Sequence, residues 1–118
     1  MDDQVKNLEV ELTRTLQQTA ELAAEIDRAK QPEGELPHYS QIENAAHDVA
    51  QRLGQAIQSV RSEQVQQQGG DAADCPSCGR SCRVQKKQRT ITTVDGETAI
   101  TEATAYCRPC RRSFFPSA

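Results

Sequence analysis

The chain has no tryptophan, one methionine, two tyrosines and two phenylalanines among its 118 residues. That little aromatic surface argues against one large hydrophobic core, which draws much of its packing from such side chains. No apolar run approaches the roughly 20 residues needed to cross a bilayer. No basic start followed by an apolar stretch marks a secretory leader. These absences point to the cytoplasm, without a membrane partner. A strong excess of one charge is missing too, since the net charge is −3. The charge is divided unevenly, however. Residues 1–70 carry 12 acidic and 6 basic side chains, and residues 71–118 carry 5 and 8. An acidic half is joined to a mildly basic one, and that bias falls well short of a strong nucleic-acid footprint.

Glycine and proline are absent from residues 2–30. Val5, Leu12, Thr19 and Ile26 fall seven apart, interleaved with Leu8, Thr15, Leu22 and Ala29. This is the 3–4 spacing of a helical seam. Asp2 and Asp3 at one end, with Arg28 and Lys30 at the other, suit the helix dipole. Pro32, Gly34 and Pro37 then break the helix. Ser40 to Glu43 has the form of a capping box for a second helix. Its apolar face runs Ile42, Ala45, Ala46, Val49, Leu53, Ala56, Ile57 and Val60, with Gly54 weakening it by about 1 kcal/mol. It should end by Gly69-Gly70. The seam is thin, with threonines and alanines at core positions, so an isolated two-helix hairpin would be marginal. Self-association is expected, most simply as a homodimeric four-helix bundle.

All five cysteines lie between positions 75 and 110. Four form two Cys-x-x-Cys pairs: Cys75 with Cys78, and Cys107 with Cys110. Thiolates at this spacing fit one tetrahedral zinc site, and four sulfurs leave no open position for water or substrate. The expected cofactor is one structural Zn²⁺. A disulfide framework fits a reducing compartment poorly, and no βαβ pattern surrounds either pair as a thioredoxin-type site would require. Cys82 is the odd thiol, read as a small half-buried side chain rather than a ligand. His38 and His47 read as surface or cap residues. Gly79 allows a tight turn after Cys78 that aims backbone N–H groups at thiolate sulfur.

Between the pairs, two runs rich in threonine, valine and isoleucine flank Asp95-Gly96. That dipeptide signals a hairpin with a two-residue type I′ turn. The register that follows sets Val94 opposite Glu97, Ile91 opposite Ile100, Arg89 opposite Glu102 and Val84 opposite Cys107. It brings both cysteine pairs to one end of the hairpin. Arg83, Lys86, Lys87, Arg89, Arg111 and Arg112 are the candidate DNA contacts, as groups that could meet phosphates. A solvated strand surface is the plainer alternative. Tyr106, Phe114 and Phe115 serve as the scarce packing material, with an aromatic stacking surface for bases as the alternative.

The cluster Cys75-Pro76-x-Cys78-Gly79, a basic hairpin, Tyr106-Cys107-x-x-Cys110 and Phe114-Phe115-Pro116 resembles the zinc ribbon of ISKra-type insertion-sequence transposases. The likeness covers roughly residues 40–118 and departs at Arg111, where glycine is usual. It implies an N-terminal transposase region in which the helices assemble and the ribbon contacts transposon-end DNA. In that family a catalytic domain with metal-binding acidic residues follows the ribbon. No such acidic set can be assigned here, so this chain is not expected to be an enzyme or to take a small-molecule substrate. The competing reading is a zinc-stabilised module for protein–protein interaction or scaffolding. The expected fold class is α+β: an antiparallel, coiled-coil-like helical hairpin over residues 1–68, a linker over 69–74, and a four-cysteine zinc ribbon over 75–118.

Overall fold

A computed structural model describes residues 2–116. The architecture is α+β: two helices precede a four-stranded antiparallel sheet, at one end of which four cysteines cluster. The elements are α1 (Asp2–Lys30), α2 (Tyr39–Gln68), β1 (Ala72–Asp74), β2 (Ser81–Thr93), β3 (Gly96–Cys107) and β4 (Arg112–Phe114). The chain divides into two compact units, Met1–Ala50 and Gln51–Ala118, with the division inside α2.

Helix α1 has the end charges its dipole favours. Thr13, Thr15 and Thr19 each donate a hydroxyl to the carbonyl four residues back, as threonine does inside a helix. No residue of α1 is buried. The break after it contains a turn closed by Glu35 N–H on the Pro32 carbonyl, with Gly34 at φ +81°. A left-handed residue at the third position is what a type II turn demands.

The start of α2 corrects one expectation. The cap is not the Ser40–Glu43 pair but His38 with Gln41, two residues earlier. The Ser40 N–H donates to His38 Nδ1 at 3.4 Å, and the His38 N–H donates to Gln41 Oε1 at 3.1 Å. This is the reciprocal logic of a capping box, with imidazole in place of a hydroxyl. The helix ends with Gly70 at φ +76°, the left-handed conformation that terminates helices at little cost when glycine supplies it.

The sheet is a meander, β1-β2-β3-β4, with every pair antiparallel. The central hairpin forms where Asp95-Gly96 signalled it, but its register differs. Thr93 pairs with Gly96, Ile91 with Thr98, Arg89 with Ile100 and Val84 with Ala105. Every partner is displaced by two residues from the expected one, because the turn is not type I′. That turn needs positive φ at both Asp95 and Gly96, and only Gly96 has it, at +96°. Val94 and Asp95 form the bend, and Gly96 follows in the left-handed conformation of a G1 bulge. Thr93 Oγ1 accepts the Asp95 N–H at 3.1 Å and bonds the Gly96 carbonyl at 3.0 Å, fixing this geometry. A two-residue displacement leaves every side chain on its expected face. Arg89 and Glu102 therefore still meet, diagonally, at 3.5 Å.

Strands β1 and β4 have three residues each, too short for any periodicity, and β1 occupies part of the 69–74 segment. Both arise because a cysteine pair reverses the chain. Ala72–Asp74 returns against Ser81–Arg83, and Arg112–Phe114 returns against Ala105–Cys107.

Beyond the reach of β4, part of the outer edge of β3 is met by the second half of α2. Ser59 Oγ donates to the Ala99 carbonyl at 2.5 Å, and Ser62 Oγ accepts the Thr101 N–H at 3.0 Å. Gln55 and Gln58 donate to the backbone and side chain of Asp95 at 2.6 and 2.8 Å. Side chains of a helix thus replace a missing neighbour strand at these points, which blunts an edge otherwise open to pairing with another chain. Gly54 belongs to this contact, since a Cβ there would stand 2.7 Å from Asp95 Oδ2. The helix gives up propensity at Gly54 so that the hairpin tip can approach.

Candidate metal centre

The two chain reversals define the site. Cys75 and Cys78 lie in the turn between β1 and β2. Cys107 ends β3, and Cys110 lies in the turn before β4. Because β2 and β3 are central neighbours, both turns fall at the same end of the sheet. The first is closed by the Gly79 N–H on the Cys75 carbonyl at 2.8 Å and by the Cys75 N–H on the Arg80 carbonyl at 2.9 Å. The second is closed by the Arg111 N–H on the Arg108 carbonyl at 3.3 Å. Gly79 and Arg111 both have positive φ, at +76° and +53°. Arginine therefore holds a conformation that favours glycine, at a cost of about 1–2 kcal/mol.

The four sulfur atoms lie within 4.8 Å of one another. Cys75 Sγ is 3.9 Å from Cys110 Sγ, and Cys78 Sγ is 3.6 Å from Cys107 Sγ. A tetrahedron of sulfurs around a metal with bonds of about 2.3 Å has edges of about 3.8 Å. The donor set and its spacing therefore fit one four-coordinate metal ion. Cys75 and Cys107 are buried, Cys110 is partly buried and Cys78 is exposed. Cys82 is buried but stands outside the cluster, its thiol directed at the Arg80 carbonyl at 3.4 Å. It packs with Cys75, Ala105 and Cys107 in the small core, against which Val84, Cys110 and Phe114 lie.

Electrostatics divides the thiols. The N–H groups of Cys78 and Ser77 point at Cys75 and lower its pKa from 9.0 to about 6. The expectation gave this task to the turn after Cys78, but the Gly79 N–H closes the turn instead. Cys110 faces the sulfurs of Cys78 and Cys107 and is pushed up to about 12. Without a cation, four sulfurs this close cannot all ionise.

The basic residues do not form one stripe. Cys82, Val84 and Lys86 alternate with Arg83, Gln85 and Lys87 along β2, so the two sets occupy opposite faces. Lys86, on the cysteine face, lies 4.0 Å from Asp71, and Arg89 is paired with Glu102. Arg111 and Arg112 belong to the second reversal and β4. Arg83 and Lys87 line a concavity of about 710 Å³ on the opposite face, together with Arg80, Arg108 and Tyr106. Arg80 and Arg108 belong to the same basic set but stood outside the candidate contacts, and Tyr106 was read first as packing material. The alternation of β2 was the signal that could have separated the two faces. No family model, curated protein or solved structure matches the chain. Among the described residues, no helix is long and apolar enough to cross a membrane.

Proposed function

We propose that this chain is a zinc-held nucleic-acid-associated module, in which the ribbon contacts DNA and the helices assemble copies of the chain. Four thiolates at tetrahedral spacing carry the metal part of this reading. All-sulfur tetrahedral sites belong to zinc or to iron–sulfur chemistry, and zinc suits a closed structural site without redox partners. No catalysis is assigned to this chain. The concavity lined by Arg80, Arg83, Lys87 and Arg108, with no carboxylate among its lining residues, carries the nucleic-acid part. The resemblance of residues 40–118 to the ribbon region of ISKra-type transposases points the same way. One experiment tests both parts: metal analysis of the purified protein, then fluorescence anisotropy with a duplex carrying a single-stranded tail. One zinc per chain is expected, with DNA affinity falling steeply as salt rises. Iron in the site, or no binding at low salt, would overturn the corresponding half.

Assembly is carried by α1, which exposes Val5, Leu8, Leu12, Leu16, Leu22 and Ile26 and buries nothing. Such a seam is marginal alone and gains from a second copy. Sedimentation at tens of micromolar should give a dimer, and Leu12→Asp should leave a monomer. A folded monomer for the unmodified chain would sink the proposal.

A competing reading makes the ribbon a rigid knob for a protein partner. It draws on the pairing of Lys86 and Arg89 with Asp71 and Glu102, which leaves those cations less available to phosphates. It predicts zinc content without DNA binding.

A further inference from the structure

We infer that the concave face of the sheet opposite the buried cysteine side is a site for single-stranded nucleic acid, holding the phosphate backbone on Arg80, Arg83, Lys87 and Arg108 while a base stacks on Tyr106. The inference rests on the nucleic-acid reading above and adds the strand state and the residues. The strand pattern builds this site. Arg83, Gln85 and Lys87 point to one face of β2, and Thr104 and Tyr106 occupy the same face of β3, opposite Gln85 and beside Arg83. The two chain reversals supply the end walls, with Arg80 leaving the first and Arg108 and Pro109 within the second. A metal held by the four cysteines would therefore do more than hold the sheet: it would fix the two cation-bearing turns that contribute Arg80 and Arg108 to this concavity.

The shape selects the ligand. A duplex is read by an element that protrudes into a groove of the DNA, whereas this surface is hollow, with a volume of about 710 Å³. A duplex also keeps its base faces stacked inside. Tyr106 is 53% exposed although it sits between core residues Ala105 and Cys107, so its ring is free to stack. Cations tracking the backbone, with an aromatic face for a base, are the two parts of sequence-tolerant single-strand binding. The polar remainder, Gln85, Thr104 and Ser113, offers hydrogen bonds, and Glu102, opposite Lys87 on this face, is paired with Arg89 at 3.5 Å.

The test uses the full metal-loaded chain and a fluorescein-labelled oligothymidylate of about 12 nucleotides, a length within the range such grooves track. A duplex of equal length is run in parallel. The chain should prefer the single strand. Tyr106→Leu should weaken that binding roughly tenfold. Arg80→Ala with Lys87→Ala should flatten the dependence of log affinity on log salt by about 1.4, at about 0.7 per lost phosphate contact. Lys86→Ala, on the other face, should change little. Metal content is measured for each variant, so that loss of the ribbon is not mistaken for loss of the groove. If the unmodified chain binds DNA while the groove variants bind equally well, or if duplex is preferred, the groove assignment is overturned and the broader reading survives. If the unmodified chain binds neither probe at low salt, both are overturned.

Discussion

Cys78→Ser should abolish metal binding and with it the sheet, whereas Cys82→Ser should keep one metal ion per chain. Cys78 is the informative ligand to remove because its side chain is exposed. The substitution leaves no hole in the core, so the loss can be assigned to coordination. Cys82 is the matching control: a buried thiol of the same region, outside the cluster. A serine hydroxyl there can still donate to the Arg80 carbonyl, and the expected cost is about 0.5–3 kcal/mol, the usual range for a single substitution. The size of the first effect follows from how little else holds the ribbon. Among the described residues, the buried hydrophobic ones are Cys75, Cys82, Ala103, Ala105 and Cys107. Two alanines and three cysteines supply little apolar burial against a backbone ordering cost of about 1–2 kcal/mol per residue. Structural zinc contributes on the order of 10–16 kcal/mol at neutral pH, comparable with or larger than the whole net stability of a typical domain. Metal analysis together with far-ultraviolet circular dichroism decides the matter. A Cys78→Ser chain that keeps its strand signal without metal would refute metal-coupled folding. Loss of metal in Cys82→Ser would place the fifth thiol among the ligands.

The clustering of Cys75, Cys78, Cys107 and Cys110 was legible because metal coordination asks for both a residue type and a spacing, and the two Cys-x-x-Cys pairs satisfy both. The hairpin was legible from Asp95-Gly96, but its register was not. The same dipeptide serves a type I′ turn and a bulged turn, and the choice is made by hydrogen bonds of Thr93 that no periodicity records. The alternation of faces survived because a shift of two residues preserves it. The meeting of α2 with β3 was hidden for another reason. Gly54, Ser59 and Ser62 are poor helix formers, and read alone they only weaken α2. They acquire a role when the edge of β3 lies beside them. The groove was hidden because basic residues were weighed by number along the chain, while the pleat sorts Lys86 to one face and Arg83 and Lys87 to the other.

Metal affinity should rise with pH between about 6 and 9, and its slope should reveal what state the metal meets. An ordinary thiol titrates near 9.0, so below that pH an unfolded chain holds a proton on each ligand sulfur. All four protons leave when the metal binds. If the metal meets an unfolded chain, the logarithm of the apparent binding constant rises by up to four per pH unit in this window. A preformed site gives a smaller slope. Cys75, held at about 6, has already lost its proton at neutral pH, while Cys110, pushed up to about 12, still has one to release. Linkage gives the matching signs for the metal-free ribbon. Cys75 has a folded pKa below its unfolded value, so its contribution is present above pH 9.0 and is lost as pH falls through about 6. Cys110 has a raised folded pKa, so its contribution is present below pH 9.0 and is lost as pH rises through about 12. Competition with a chromophoric chelator of known proton affinity, run from pH 6 to 8, measures the slope. A value near four is expected, because so small a core does not hold the sheet alone. A value clearly below four would mean that the sulfur cluster exists before the metal arrives. A flat profile would exclude thiolates as the ligands.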